Sequence, residues 1–60
     1  MKSKTRILCI DDDQDQCDLL NAALTRMGYS VMTTTSPTSA LELLRAQTFD
    51  AVITDLGMGE

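Results

Sequence analysis

Two apolar runs that each end in carboxylate constrain this chain most. Ile7-Leu8-Cys9-Ile10 runs directly into Asp11-Asp12-Asp13, and Ala51-Val52-Ile53-Thr54 runs into Asp55. Neither run shows the polar alternation of a half-buried strand, so each reads as a buried strand. Such strands belong to parallel sheets, whose ligand sites form beyond the carboxyl ends of the strands. Carboxylates gathered at that edge, with no lysine nearby, call for a metal cation.

The segments between the runs carry helical signals. Asp13 reads as an N-cap, with Gln16 three residues on to complete a capping box. Apolar residues follow at Cys17, Leu20, Ala23 or Leu24, and Met27, and Gly28 stands where a C-terminal glycine belongs. Tyr29 to Thr34 is rich in β-branched residues and reads as a second strand. Ser36-Pro37 starts another helix, a serine cap with proline in the first turn, carrying Ala40, Leu41, Leu43 and Leu44 to about Gln47. The leucines and alanines of both helices are expected in the core. Residues 51–54 form the third strand. The order is β-α-β-α-β, in one α/β domain. Connections of a dozen or more residues imply parallel strands and right-handed crossovers.

Sixty residues make at most one small domain. A chain of that length buries only about 60% of the surface its unfolded form exposes. Its two cysteines lack CxxC spacing and there is no histidine, which argues against a disulfide framework and structural zinc. Cys9 and Cys17 are expected as buried thiols. Nine acidic residues face five basic ones, a net charge of −4. The bases, Lys2, Lys4, Arg6, Arg26 and Arg45, form no patch beyond the amino terminus, so direct nucleic-acid binding by this segment is not expected. The basic start is followed by four apolar residues and then aspartates, too short a run for a signal peptide. No stretch approaches membrane-spanning length. The expected setting is soluble and cytoplasmic.

Parallel strands point the same way, so Asp11, Asp12 and Asp55 belong to one edge of the sheet. In the strand order 2-1-3, the first and third strands are neighbours about 4.8 Å apart, and the carboxylates after them converge. In the order 1-2-3 a strand separates them. The sequence alone does not choose. Convergent carboxylates repel one another, and a hard divalent ion removes that penalty. Magnesium suits a few carboxylates, a backbone carbonyl and retained waters, and it can neutralise the oxygens of an incoming phosphoryl group. One aspartate can then act as nucleophile and form an aspartyl phosphate.

With these pieces in place, the chain resembles the first half of a response-regulator receiver domain. The resemblance lies in ILCIDDDQDQ for the first strand and acidic pair, and GYSV for the second strand. SPTSALELLRA is similar to the second helix, and FDAVITDLGM to the third strand and phosphorylation site. It implies a flavodoxin-like doubly wound fold with strand order 2-1-3, and a domain over 1–60 made of the first three strands and two helices. It implies Asp55 as phosphoacceptor, Asp12 as a direct magnesium ligand and Asp11 as one acting largely through a coordinated water. The backbone carbonyl of Gly57 would be a further ligand. The implied phosphodonor is a phosphohistidine on a sensor histidine kinase or phosphotransfer protein, with a downstream output domain as a further partner. A receiver assists its own phosphorylation and is not a conventional turnover enzyme. Departures are also plain. The serine or threonine and the lysine of a receiver's later half have no counterpart, no lysine follows Lys4, and Gly59 stands where the family has proline. On this reading the chain is a truncated receiver.

Three other readings compete. A strand followed by D-x-D also resembles the haloacid-dehalogenase-like phosphatases, with Asp11 as nucleophile and Asp13 as acid/base. That reading leaves Asp55 without a role. Asp11, Asp13 and Asp15 have calcium-loop spacing, but Gln16 and Ala22 replace the required glycine and glutamate. The remaining alternative is an inert structural piece of an α/β domain. The first strand–helix turn has no glycine, which removes dinucleotide binding.

Overall fold

The computed structural model describes residues 4–54. Five elements follow one another: β1 (Arg6–Ile10), α1 (Gln14–Arg26), β2 (Ser30–Thr34), α2 (Pro37–Ala46) and β3 (Ala51–Thr54). The strands form a parallel sheet in the order β2-β1-β3, which resolves the choice the sequence left open. The chain moves one way from β1 to β2 and back across β1 to β3. Right-handed crossovers in those opposite directions put α1 and α2 on opposite faces. β1, paired on both edges and covered on both faces, is therefore the core strand. Ile7, Leu8 and Cys9 are buried there, joined by Cys17 of α1 and Ala40 of α2. Leu8 is fully buried, worth about 1.5–3 kcal/mol relative to an exposed side chain.

Local chemistry sets the ends of the helices. The Asp13 carboxylate caps α1, and the Ser36 hydroxyl accepts from the Ser39 N–H at 3.3 Å to cap α2, with Pro37 in its first turn. At the far end of α1 the Tyr29 N–H donates to the Leu24 carbonyl (3.2 Å) and the Gly28 N–H to the Thr25 carbonyl (3.0 Å). This paired arrangement requires a left-handed residue, and Gly28 supplies it with φ +99°. Because Tyr29 is used in that closure, β2 starts at Ser30, one residue later than the β-branched run indicated.

The register of β3 is fixed where the strand begins. The Arg6 N–H donates to the Asp50 carboxylate and the Asp50 N–H to the Arg6 carbonyl, both at 2.8 Å. The Arg6 guanidinium lies 5.1 Å from the centre of the Phe49 ring and donates to the Gln47 side chain. From this clamp the ladder runs Ile7–Ala51, Leu8–Val52, Cys9–Ile53 and Ile10–Thr54.

Two expectations about burial do not hold. β3 is exposed along its length, with Val52 at 44% and Ile53 at 38%. Among the described residues α2 lies against β1 and β2 and no helix lies over β3. The helical leucines and alanines are also only partly core. Leu20, Leu24 and Leu43 are half-buried, whereas Leu19, Ala23, Met27, Leu41 and Leu44 are exposed. Each helix touches the sheet along a narrow stripe, and nothing among the described residues covers its flanks. The space beside α2 is an apolar groove of about 360 Å³ lined by Ile10, Pro37, Ala40, Leu41, Leu44 and Thr54.

Candidate functional site

The β1 ladder continues one residue past the strand. The Asp11 N–H donates to the Thr34 carbonyl at 3.2 Å, so Asp11 leaves the sheet in a fixed backbone position. Its side chain is buried, 7% exposed, and Oδ1 accepts from the Asp13 N–H at 3.0 Å. This is an Asx-type turn, in which a short carboxylate closes on the backbone two residues on. Asp12 sits at the exposed apex of that turn.

The same turn corrects the capping-box expectation. Asp13 is the N-cap, and its Oδ1 accepts from the Asp15 N–H at 2.9 Å. The Asp13 N–H, however, goes to Asp11 and not to the Gln16 side chain. Asp11 is already held at the strand end within reach, whereas Gln16 is exposed and would have to order a longer side chain.

Cys17 reaches the loop from within the first turns of α1. Its thiol donates to the Asp11 carbonyl, with sulfur to oxygen 3.4 Å, and the Thr34 carbonyl lies 3.8 Å away. Sequence reasoning placed Cys17 as a buried thiol, which it is, but missed these contacts. The one available signal was its position six residues past Asp11, on the inward side of the helix that follows the loop. Burial pushes the Cys17 thiol up in pKa, and the nearby Asp11 carboxylate adds to the effect. Burial likewise raises Cys9, with Cys17 contributing. Both cysteines are therefore held as neutral thiols at neutral pH, the form that is neither nucleophile nor metal ligand.

Of the four sequence-derived site residues, Asp11 and Asp12 stand together at the end of β1. Asp55 and the Gly57 carbonyl lie outside the described residues. The adjoining strand nonetheless ends level with the site, since Thr54 pairs with Ile10, immediately before Asp11. Among the described residues no group of three or more histidine, cysteine or carboxylate side chains gathers closely enough to hold a metal. That removes the calcium-loop reading, because Asp11, Asp13 and Asp15 do not converge and the first two serve the backbone. Asp11 and Asp12 offer an all-oxygen pair of donors. Only one Asp11 oxygen is used by the turn, leaving acceptor capacity on the other. Donors of this kind fit a hard divalent cation such as magnesium.

The comparisons with known proteins agree with this architecture. The family model described as the response regulator receiver domain matches residues 7–60. The chain belongs to that family. Among curated relatives, Transcriptional regulatory protein ZraR of Escherichia coli is 44% identical over 54 residues, covering 90% of this chain and 12% of the relative. Two-component response regulator ARR10 of Arabidopsis thaliana is 46% identical over 55 residues, covering 88% of this chain and 10% of the relative. Transcriptional regulatory protein GlrR of Escherichia coli is 43% identical over 54 residues, 90% of this chain and 12% of the relative. The chain thus spans roughly a tenth of the length of these curated relatives. No solved structure matches it at a significant level. The receiver family also replaces the phosphatase reading, in which Asp13 would be an acid/base. Here the Asp13 carboxylate is the cap of α1.

Proposed function

We propose that this receiver accepts a phosphoryl group on Asp55 from a phosphohistidine of a sensor kinase or phosphotransfer protein. The observation that carries the reading is the parallel pairing of Ile10 with Thr54. Asp11 follows Ile10 in the sequence and Asp55 follows Thr54, and adjacent strands of a sheet run about 4.8 Å apart, which supports a shared site. A carboxylate oxygen of Asp55 attacks phosphorus. The phosphorus–oxygen bond forms as the phosphorus–nitrogen bond breaks, and the donor imidazole leaves with the electron pair.

Asp11, Asp12, Asp55 and the Gly57 carbonyl would hold Mg2+, which when bound neutralises charge on the phosphoryl oxygens. Asp11 is ordered in advance by its turn, so little of its freedom remains to be lost on binding. Asp12, at the exposed apex of the turn, would present its carboxylate to the ion. The domain over 1–60 supplies the first three strands and two helices of the receiver. It assists its own modification and is not a turnover enzyme. Phosphorylation would bias a two-state equilibrium read by an output domain. Two free thiols suit a reducing cytoplasm.

The test is labelling of the protein that carries this segment with radioactive acetyl phosphate, with and without magnesium. Label should appear only with magnesium and should be lost in Asp55→Asn. Undiminished labelling of Asp55→Asn overturns the reading.

A further inference from the structure

We propose that Cys17 is a positioning residue for the magnesium site: its thiol holds the Asp11–Asp12 peptide in the orientation that aims the Asp12 carboxylate at the ion. The inference rests on the phosphoacceptor reading above and adds to it a residue outside the family's acidic set.

A thiol carries one proton, so the 3.4 Å contact to the Asp11 carbonyl is its hydrogen bond, and the Thr34 carbonyl at 3.8 Å is a neighbour. The Thr34 carbonyl is already engaged by the Asp11 N–H at 3.2 Å. Asp11 is therefore tied on both sides, through its N–H to β2 and through its carbonyl to α1. The peptide bond is planar, so fixing the Asp11 carbonyl fixes the Asp12 nitrogen and limits where the Asp12 side chain can leave the loop. The anchor itself is rigid. Cys17 is fully buried, and its own N–H donates to the Asp13 carbonyl at 3.1 Å in the first turn of α1. An S–H donor is weak, so the effect is modest. Magnesium nevertheless demands near-ideal geometry and responds to small displacements of a ligand.

Packing and positioning predict different orders among substitutions. Cys17→Val fills the space without a donor, and Cys17→Ser keeps a donor but buries a more polar group. If Cys17 only fills space, Cys17→Val is at least as stable as Cys17→Ser and magnesium affinity is the same in both. If it positions the loop, affinity follows the donor whatever the stability does.

The experiment is calorimetric titration of magnesium into the full-length protein under reducing conditions, with thermal unfolding of each variant alongside. Wild type and Cys17→Ser should bind alike, and Cys17→Val and Cys17→Ala about two- to fivefold more weakly. Equal affinity in all four overturns the role of Cys17 and leaves the site reading standing. Absence of magnesium binding by wild type overturns the site reading itself. Should Cys17→Val not fold, Cys17→Ala against Cys17→Ser makes the same comparison. The infrared S–H stretch of wild type then reads the bond without mutation. The Cys17 band, assigned by its loss in Cys17→Ala, should lie at the lowered frequency of a hydrogen-bonded thiol, and the frequency of a free thiol overturns the proposal.

Discussion

Ile10 and Thr54 pair across the β1–β3 ladder, so these two neighbouring parallel strands end level with one another. The residue after Ile10 is Asp11, fixed by a backbone hydrogen bond to Thr34 and by its own turn to Asp13. The pairing is set at the opposite end of the sheet, where Arg6 and Asp50 exchange two hydrogen bonds. A slip of one residue there would turn every β3 side chain to the other face and break the pairing of Thr54 with Ile10.

Asp13 caps α1, whereas the work proposed for its neighbour Asp12 is at the magnesium site, and substitution should separate the two. Asp13→Ala removes the cap of α1 and should cost about 1 kcal/mol of stability with little change in magnesium affinity. Asp12→Ala should do the reverse. Urea unfolding and magnesium titration of the two variants check this, and equal loss of affinity in both would argue against the division.

Gly28→Ala should destabilise by about 1–2 kcal/mol through backbone strain alone. A Cβ there meets nothing within 4 Å, so no steric clash contributes. Gly28→Asn should recover part of the loss, since asparagine tolerates the left-handed region better. Equilibrium unfolding of the three proteins is the check.

Much of this architecture was legible in the sequence, because the signals were local. Asp13, Gly28, Ser36 and Pro37 each mark a helix end by their own chemistry, and all four act where the sequence placed them. The strand order was not legible from residues, because β-α-β-α-β patterns are compatible with either placement of the third strand. It came from the family resemblance. Burial of β3 was misjudged because an apolar run reports what a strand can bury, not what covers it. The Cys17–Asp11 bond was missed because a thiol reads as apolar filling, and its hydrogen bond depends on how the loop folds back over α1. Gln16 was given a role that the nearer Asp11 carboxylate takes.

The two exposure classes among the leucines should differ in cost. Leu8→Ala, at a fully buried site, should lose about 2–5 kcal/mol, whereas Leu41→Ala, 58% exposed, should stay within about 0.5 kcal/mol. Comparable losses would mean that Leu41 is covered in the working protein, and would place a packing partner in the groove beside α2.

Cys9 and Cys17 should react slowly with thiol reagents in the folded protein and quickly in urea. Both thiols are raised above their ordinary value of 9.0 by burial. Over that range the folded state holds protons that the unfolded state has released. Their contribution to stability is therefore fully present below about pH 9 and is lost as pH rises through the folded values. Unfolding curves taken between neutral and strongly alkaline pH should show stability falling on the alkaline side.

The most direct measurement is to locate the phosphoryl group. The protein is treated with acetyl phosphate and magnesium, the acyl phosphate is reduced with borohydride, and the peptides are sequenced by mass spectrometry. Reduction converts a phosphorylated aspartate to homoserine. Homoserine at position 55, and at none of Asp11, Asp12 or Asp13, is the predicted result. Homoserine at Asp11 with Asp55 intact would contradict the account.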